Sequence, residues 1–199
     1  MVTKRQEKER EFRKKQILDG ALTVFHENGL NGTTMDEIAR VSDFGKATLY
    51  YYFRSKEEVF SSILDRGWTA LWKSLEDDFL SDKNPRESFI KILTILAQKT
   101  QNNRNEYEFL FNAPKTIMSL EEKKPIWKSY QQRLYTSLKE LLEKGIALGQ
   151  FPQLDSDLMF KAIGGLFVGL IFMGEQNKNI TSDDIETLLN QLIADPNQS

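Results

Sequence analysis

TTMDEIARVSDFGKATLYYYFRSKEEVF, residues 33–60, decides the reading of this chain. Thr34 and Glu37 stand three apart, the spacing of a capping box, and predict a helix that ends near Val41. A polar turn follows. Asp43 in it tolerates the left-handed backbone that such a turn requires. Lys46 to Phe53 is the next helix, with Leu49 and Phe53 four apart on one inner face. Ser55 and Glu58 repeat the capping pattern and open a longer helix. Two short helices joined by a tight turn make a helix-turn-helix, whose second helix enters the DNA major groove.

The side chains left outside that inner face suit DNA. Ile38, Ala39 and Val41 face the bundle. Lys46, Thr48, Tyr50, Tyr51 and Tyr52 spread over the rest of the second helix. One tyrosine in a short helix is commonly half-buried, but a helix has a single buried face and cannot hide three in a row. A tyrosine hydroxyl reaches a phosphate, and its ring lies against a thymine methyl or a sugar. Thr34 is a plain N-cap, a donor to a phosphate where helix amides favour an anion, or both. Lys56, at the start of the longer helix, is positioned to meet the DNA backbone.

The same run resembles the DNA-binding domain of the tetracycline-repressor (TetR) family. The resemblance rests on a helix stopped at Gly29, the Thr-Thr start of the second helix, Thr-Leu-Tyr-x-Tyr-Phe in the third, and Ser-Lys-Glu opening the fourth. It covers about residues 10–65. It implies a homodimeric transcriptional repressor, released from double-stranded operator DNA by a small-molecule effector. The positions that match the family's DNA contacts are Thr34, Lys46, Thr48, Tyr50, Tyr51 and Lys56. Phe44 and Gly45, just before the recognition helix, join them as candidates. They stand with Asp43 where the family often has Gly-Val-Ser, and Gly45 brings no hydroxyl. Ala47 replaces a common glycine. Operator sequence therefore does not transfer from relatives.

Outward from this stretch the expected fold is all-α, with about nine helices and no strand. The first helix runs from about Glu9 to Asn28, with Ile17, Leu18, Ala21, Leu22 and Phe25 as one apolar face. The fourth runs to about Leu80. Asn84 with Pro85 starts the fifth, which reaches about Gln101. A short helix follows a polar break, Asn102 to Asn105, and runs from Glu106 to about Ala113. The stretch up to Pro125 has no clear reading. Ile126 to about Leu148, Asp155 to about Gly174, and Thr181 or Ser182 to about Ala194 complete the set. Residues 1–55 form the three-helix DNA-binding domain, which extends to about 70 with the linking helix. Residues 56–199 form a helical body, assigned by the resemblance to ligand binding and dimerisation.

Two features of the body are candidates for function. Leu158, Ala162, Gly165, Gly169 and Phe172 share one stripe, and glycine in a helix costs roughly 1 kcal/mol against alanine. Small residues there admit close approach by another helix, of this chain or of a second copy. The resemblance implies a second copy, with Leu188 and Leu192 of the last helix in the same interface. The middle helices are rich in aromatics that fill an ordinary core or line an apolar pocket. Trp72, Tyr107 and Trp127 pair bulk with a hydrogen-bonding atom and are the pocket candidates.

Composition narrows the classes. The 199 residues carry no cysteine and one histidine, His26. Disulfides, thiol sensing and multi-histidine metal sites are excluded. A nucleophile elbow and a phosphate loop are absent, so an enzyme is not expected, and no cofactor or metal is assigned. Residues 1–15 hold 7 basic and 3 acidic side chains, while the chain as a whole has a net charge of −2. A basic end on an acidic body suits a protein that grips a polyanion at one end. No signal peptide opens the chain, and Ala162–Met173 falls short of the roughly 20 residues that span a bilayer. The expected location is the cytoplasm, with no membrane partner.

Overall fold

The computed structural model describes residues 3–80, 84–112, 125–172 and 180–192. Among the described residues every regular element is a helix. They are α1 (Lys4–Gly32), α2 (Met35–Val41), α3 (Lys46–Tyr52), α4 (Lys56–Lys73), α5 (Glu76–Phe79), α6 (Pro85–Asn102), α7 (Arg104–Phe111), α8 (Ile126–Ala147), α9 (Ser156–Phe172) and α10 (Ser182–Leu192).

These are ten helices rather than nine, because the expected fourth helix breaks at Ser74. The Ser74 hydroxyl donates to the Leu71 carbonyl at 2.7 Å, and the Leu75 amide bonds back three residues to Trp72. A serine that competes for a helical carbonyl ends regular α-geometry. Glu76, Asp77 and Asp78 then form the acidic first turn of α5. The first helix also starts earlier than expected. Thr3 and Gln6 make a full capping box, so α1 begins at Lys4 instead of Glu9. Gly29 is the expected interruption, at φ +65° in the left-handed region that favours glycine, but a further turn continues to Gly32. The break between α6 and α7 is one residue, Asn103, and α7 begins at Arg104. The expected ends near Ala113, Gly174 and Ala194, and the stretch up to Lys124, lie outside the described residues.

By packing, the described residues fall into two units. The first holds α1, α2, α3, α4 up to Trp68, residues 109–112 at the end of α7, and residues 125–127. The second holds Thr69 to Glu108 and the residues from Lys128 on. In the first unit, Ile17, Leu18, Ala21, Val24 and Phe25 of α1 are buried with Ile38 and Ala39 of α2, Leu49 of α3 and Val59, Phe60, Ile63 and Leu64 of α4. Each of the Ile, Leu, Val and Phe side chains stabilises by about 1.5–3 kcal/mol, and each alanine methyl by about 0.8 kcal/mol or less. Phe109 packs on Phe60 at 4.3 Å between ring centres, and Phe25 meets Phe60 edge-on at 5.1 Å. Val41 departs from its expected inward orientation and is exposed. It lies about 160° around α2 from Ala39, at the end of the helix.

In the second unit α6 is the central helix. Asn84 caps it, accepting from the amides of Arg86 and Glu87, and Pro85 takes the first turn. Phe89, Ile92, Leu93, Leu96 and Ala97 are buried, and α5, α9 and α10 all pack on this helix. Gly145 of α8 makes room for the Phe151 ring, whose nearest atom lies 2.4 Å from where a Cβ would stand.

A candidate nucleic-acid interface

The α2–turn–α3 segment is fixed from both ends. At its start, Thr34 caps α2. Its hydroxyl accepts from the Glu37 amide at 3.2 Å and donates to the Glu37 carboxylate at 2.9 Å. Its own amide donates to that carboxylate at 2.8 Å. The hydroxyl bond, then the amide bond, hold the Glu37 carboxyl below its ordinary range. The turn is held by Ser42 N–H to Ile38 O at 3.0 Å and by Phe44 N–H to Ala39 O at 2.9 Å, with Asp43 left-handed at φ +58°. Gly20 of α1 lets this turn approach. A Cβ on Gly20 would lie 2.8 Å from Ser42 Cβ and 2.9 Å from Ser42 Cα.

From that turn α3 projects one face. Leu49 and Phe53 are fully buried. Tyr51, opposite them, is 73% exposed and Tyr50, on their flank, 53% exposed, while Lys46 and Gly45 are open to solvent and Thr48, Tyr52 and Phe44 are half-buried. Tyr51 and Tyr52 meet edge to face at 5.3 Å. Gly45 caps α3 by position, without a side-chain bond.

The lysines are already engaged within the chain. Lys46 pairs with Asp36 of α2, both side chains being largely exposed. Lys56 donates to the carbonyls of Asn31 at 3.2 Å and Thr33 at 2.8 Å, so it fastens α4 to the end of α1 and the link into α2. Lys14 of α1 stands 5.8 Å from the centre of the Phe53 ring. Asp36, Lys14 and Gly20 took no part in the sequence reading. The only signal for Asp36 was its place one residue before the capping Glu37, ten residues ahead of Lys46. Thr34, Phe44, Gly45, Lys46, Thr48, Tyr50 and Tyr51 belong to this one segment, and Lys56 opens α4 directly after it, all in the first unit.

The other candidates lie elsewhere. Trp72 and Tyr107 are buried in the second unit, and Trp127 is buried in the first. Trp72 stacks on Phe79, rings 5.4 Å apart and near parallel, with the Arg133 guanidinium 4.4 Å from its ring centre. Its indole N–H has no acceptor among the described residues. Burial, then the charge of Glu106, push the Tyr107 hydroxyl up to about 12. The Trp127 amide donates to Asp65 at 2.7 Å. On α9, Met159 and Ile163 are buried, whereas Leu158 is 64% exposed and Ala162 and Gly165 are also open. Gly169, Phe172 and Leu188 are half-buried, and the Leu192 side chain lies outside the described residues. Among the described residues no group of His, Cys, Asp or Glu is arranged to hold a metal ion. No described helix is long and apolar enough to cross a membrane.

Comparison with known proteins bears on this arrangement. A family model described as bacterial regulatory proteins, tetR family, matches residues 17–63. YhgD of Bacillus subtilis, an uncharacterized HTH-type transcriptional regulator, is 28% identical over 89% of this chain and 92% of its own length. IcaR of Staphylococcus aureus, the HTH-type negative transcriptional regulator of the biofilm operon icaADBC, is 29% identical over 88% of this chain and 77% of its own. Among solved structures, AibR in complex with isovaleryl coenzyme A and operator DNA shares the fold. It has a TM-score of 0.76 and 17% identity, and covers 92% of this chain and 98% of its own.

Proposed function

Because the chain belongs to the TetR family of bacterial transcriptional regulators, which are not enzymes, we propose that it is a homodimeric repressor that an apolar or aromatic effector releases from its operator. The observation that carries the DNA reading is the surface of α3 away from Leu49 and Phe53, where Tyr50 and Tyr51 are exposed and Thr48 half-buried, with Lys46 exposed at the helix start, on a helix locked in place by the Ser42–Gly45 turn. Tyr50 and Thr48 read base edges or thymine methyls. Tyr51, Lys46 and Lys56 meet phosphates, and Thr34, Phe44 and Gly45 line the approach. To reach DNA, Lys46 exchanges Asp36 for a phosphate, and Lys56 leaves a carbonyl.

The repressor sign is supported by IcaR, named as a negative regulator. Dimerisation is supported by α9. Its exposed stripe Leu158, Ala162 and Gly165 is apolar, and a Cβ on Gly165 would meet nothing within 4 Å. A second copy burying that stripe, together with Leu188, Leu192, Gly169 and Phe172, removes it from water. Support for an effector comes from Trp72, whose buried indole N–H is open to an acceptor on a ligand. Tyr107 contributes a neutral hydroxyl in the same unit, and Trp127 senses changes at α4 through Asp65. Coupling runs along α4, a single helix that starts beside α3 and carries Trp72 in its last turn. A hundredfold release requires the effector to prefer the released state by about 2.7 kcal/mol.

The test is titration of hydrophobic compounds against protein bound to an operator recovered from a random pool. Compounds that change the fluorescence of Trp68, Trp72 and Trp127 are expected to release DNA at matching concentrations. Ligands that bind tightly and leave operator affinity unchanged contradict the effector reading.

A further inference from the structure

The first thirteen residues of α1, Lys4 to Gln16, stand clear of the core. Ile17 is the first buried residue, and all thirteen are exposed except half-buried Lys14. No apolar packing holds this segment. A free helix of this length is marginal in water. Here the Thr3–Gln6 capping box and the 2.6 Å Arg13–Glu9 pair support it.

Its charges are arranged unevenly. At about 100° per residue, Lys4, Lys8 and Lys15 fall within about 40° of arc, and Arg5 lies within about 100° of Lys4. The lysine stripe lies about 120° around the helix from the centre of the face that buries Ile17, Leu18, Ala21, Val24 and Phe25, with Leu18 at the edge nearer to it. Glu7 and Glu11 border one side. Among the described residues no ion pair engages Lys4, Arg5, Lys8 or Lys15. Phe12, 61% exposed, lies beside the stripe.

Resting on the DNA-binding reading above, we propose that this arm is a second, sequence-independent DNA contact, with Lys4, Arg5, Lys8 and Lys15 as its phosphate-binding side chains. The location supports it. Lys14 lies over Phe53, which ends α3, so the arm leaves the bundle beside the helix that reads the bases. Its length, about 20 Å at 1.5 Å per residue, equals the axial span of roughly six base pairs. A lipid surface fits less well, because Phe12 is the single apolar residue between Lys4 and Gln16 and gives no apolar face to insert. A helical arm with free cations and no apolar face gains affinity by displacing condensed counterions.

The experiment compares full-length wild type with the variant carrying Lys4→Gln, Arg5→Gln, Lys8→Gln and Lys15→Gln. Glutamine keeps helix propensity. The probes are a 40-base-pair random duplex, the duplex selected by the wild type from a random pool, and vesicles rich in phosphatidylserine. The variant is expected to bind the random duplex at least tenfold more weakly at 50 mM salt. Its plot of log affinity against log salt flattens by about two to four units, at roughly 0.9 for each phosphate that is no longer neutralised, while the selected sequence stays the same. Equal slopes and affinities within twofold, with the wild type still selecting a motif, overturn the arm and leave the reading of α3 standing. A wild type that binds neither duplex overturns both. Loss of vesicle binding with unchanged DNA binding assigns the arm to lipid and overturns the proposal.

Discussion

Gly20→Ala sets two effects against each other at the point where α1 supports the helix-turn-helix. An alanine inside a helix is better than glycine by about 1 kcal/mol, so an open site would gain. This site is closed. The new methyl would sit 2.8 Å from Ser42 Cβ, 2.9 Å from its Cα and 3.0 Å from its N, against ordinary contacts of 3.4–4 Å. Something must move by about half an ångström or more. Two of the three atoms are backbone, in a turn pinned by hydrogen bonds from Ser42 and Phe44 and by left-handed Asp43. Overpacking of this kind costs about 1–3 kcal/mol. The net loss is then roughly 1 kcal/mol and at most about 2, or about 2–8 °C in Tm for a chain of this size. The turn positions α3, so DNA affinity falls by more than stability alone requires. Urea midpoints at fixed protein concentration, read beside operator titrations under conditions where both proteins are folded, measure the two effects. Ser42→Gly in the same background removes one of the three close approaches and restores part of the stability. A Gly20→Ala protein that is more stable than wild type and binds DNA equally refutes the close approach of turn to α1.

Gly165→Leu separates fold from assembly: Gly165 is exposed and a Cβ there meets nothing within 4 Å, so secondary structure and the monomer's fold are expected to persist while sedimentation shows dimer loss and operator affinity drops. The Glu37 carboxyl is depressed by Thr34, so the capping box stabilises fully above the ordinary value of 4.5 and is lost as pH falls through the lower folded value. The stability gap between wild type and Thr34→Ala therefore narrows below about pH 4 in acid-urea titrations, and a gap that widens contradicts the bond. Asp36→Asn frees Lys46 and removes a negative charge near the DNA, so nonspecific affinity rises severalfold at low salt. In a Lys46→Ala background the gain shrinks to what loss of the Asp36 charge alone supplies, and a gain of undiminished size there shows that the pair is not its source.

What the sequence made legible was local. Spacing alone located the caps at Thr34, Ser55, Asn84 and Asp155, because a side chain reaching an amide two or three residues on involves no distant partner. The left-handed Asp43 followed from turn chemistry in the same way. The outward Tyr50 and Tyr51 followed from period, since Leu49 and Phe53 define one face, whereas Tyr52 is half-buried. Contacts across the fold were not legible. Nothing in spacing says that Lys56 binds the carbonyls of Asn31 and Thr33, or that Lys46 finds Asp36. The break at Ser74 left a trace that was available, Lys73 closing one helix and Glu76-Asp77-Asp78 opening another, complementary to the two helix dipoles. The helical start at Lys4 left a trace too, in the capping spacing of Thr3 and Gln6, but no apolar period follows it there to mark a helix.

The central claim is that α3 reads DNA sequence through Thr48 and Tyr50, and recovery of bound DNA from a random pool tests it most directly. Wild type is expected to enrich a two-fold symmetric motif with half-sites about one helical turn, roughly 34–36 Å, apart. Thr48→Ala and Tyr50→Ala should each change the preferred base at one symmetric position, at about 1–3 kcal/mol per contact. Enrichment of no motif, or the same motif from wild type and both variants, contradicts the account.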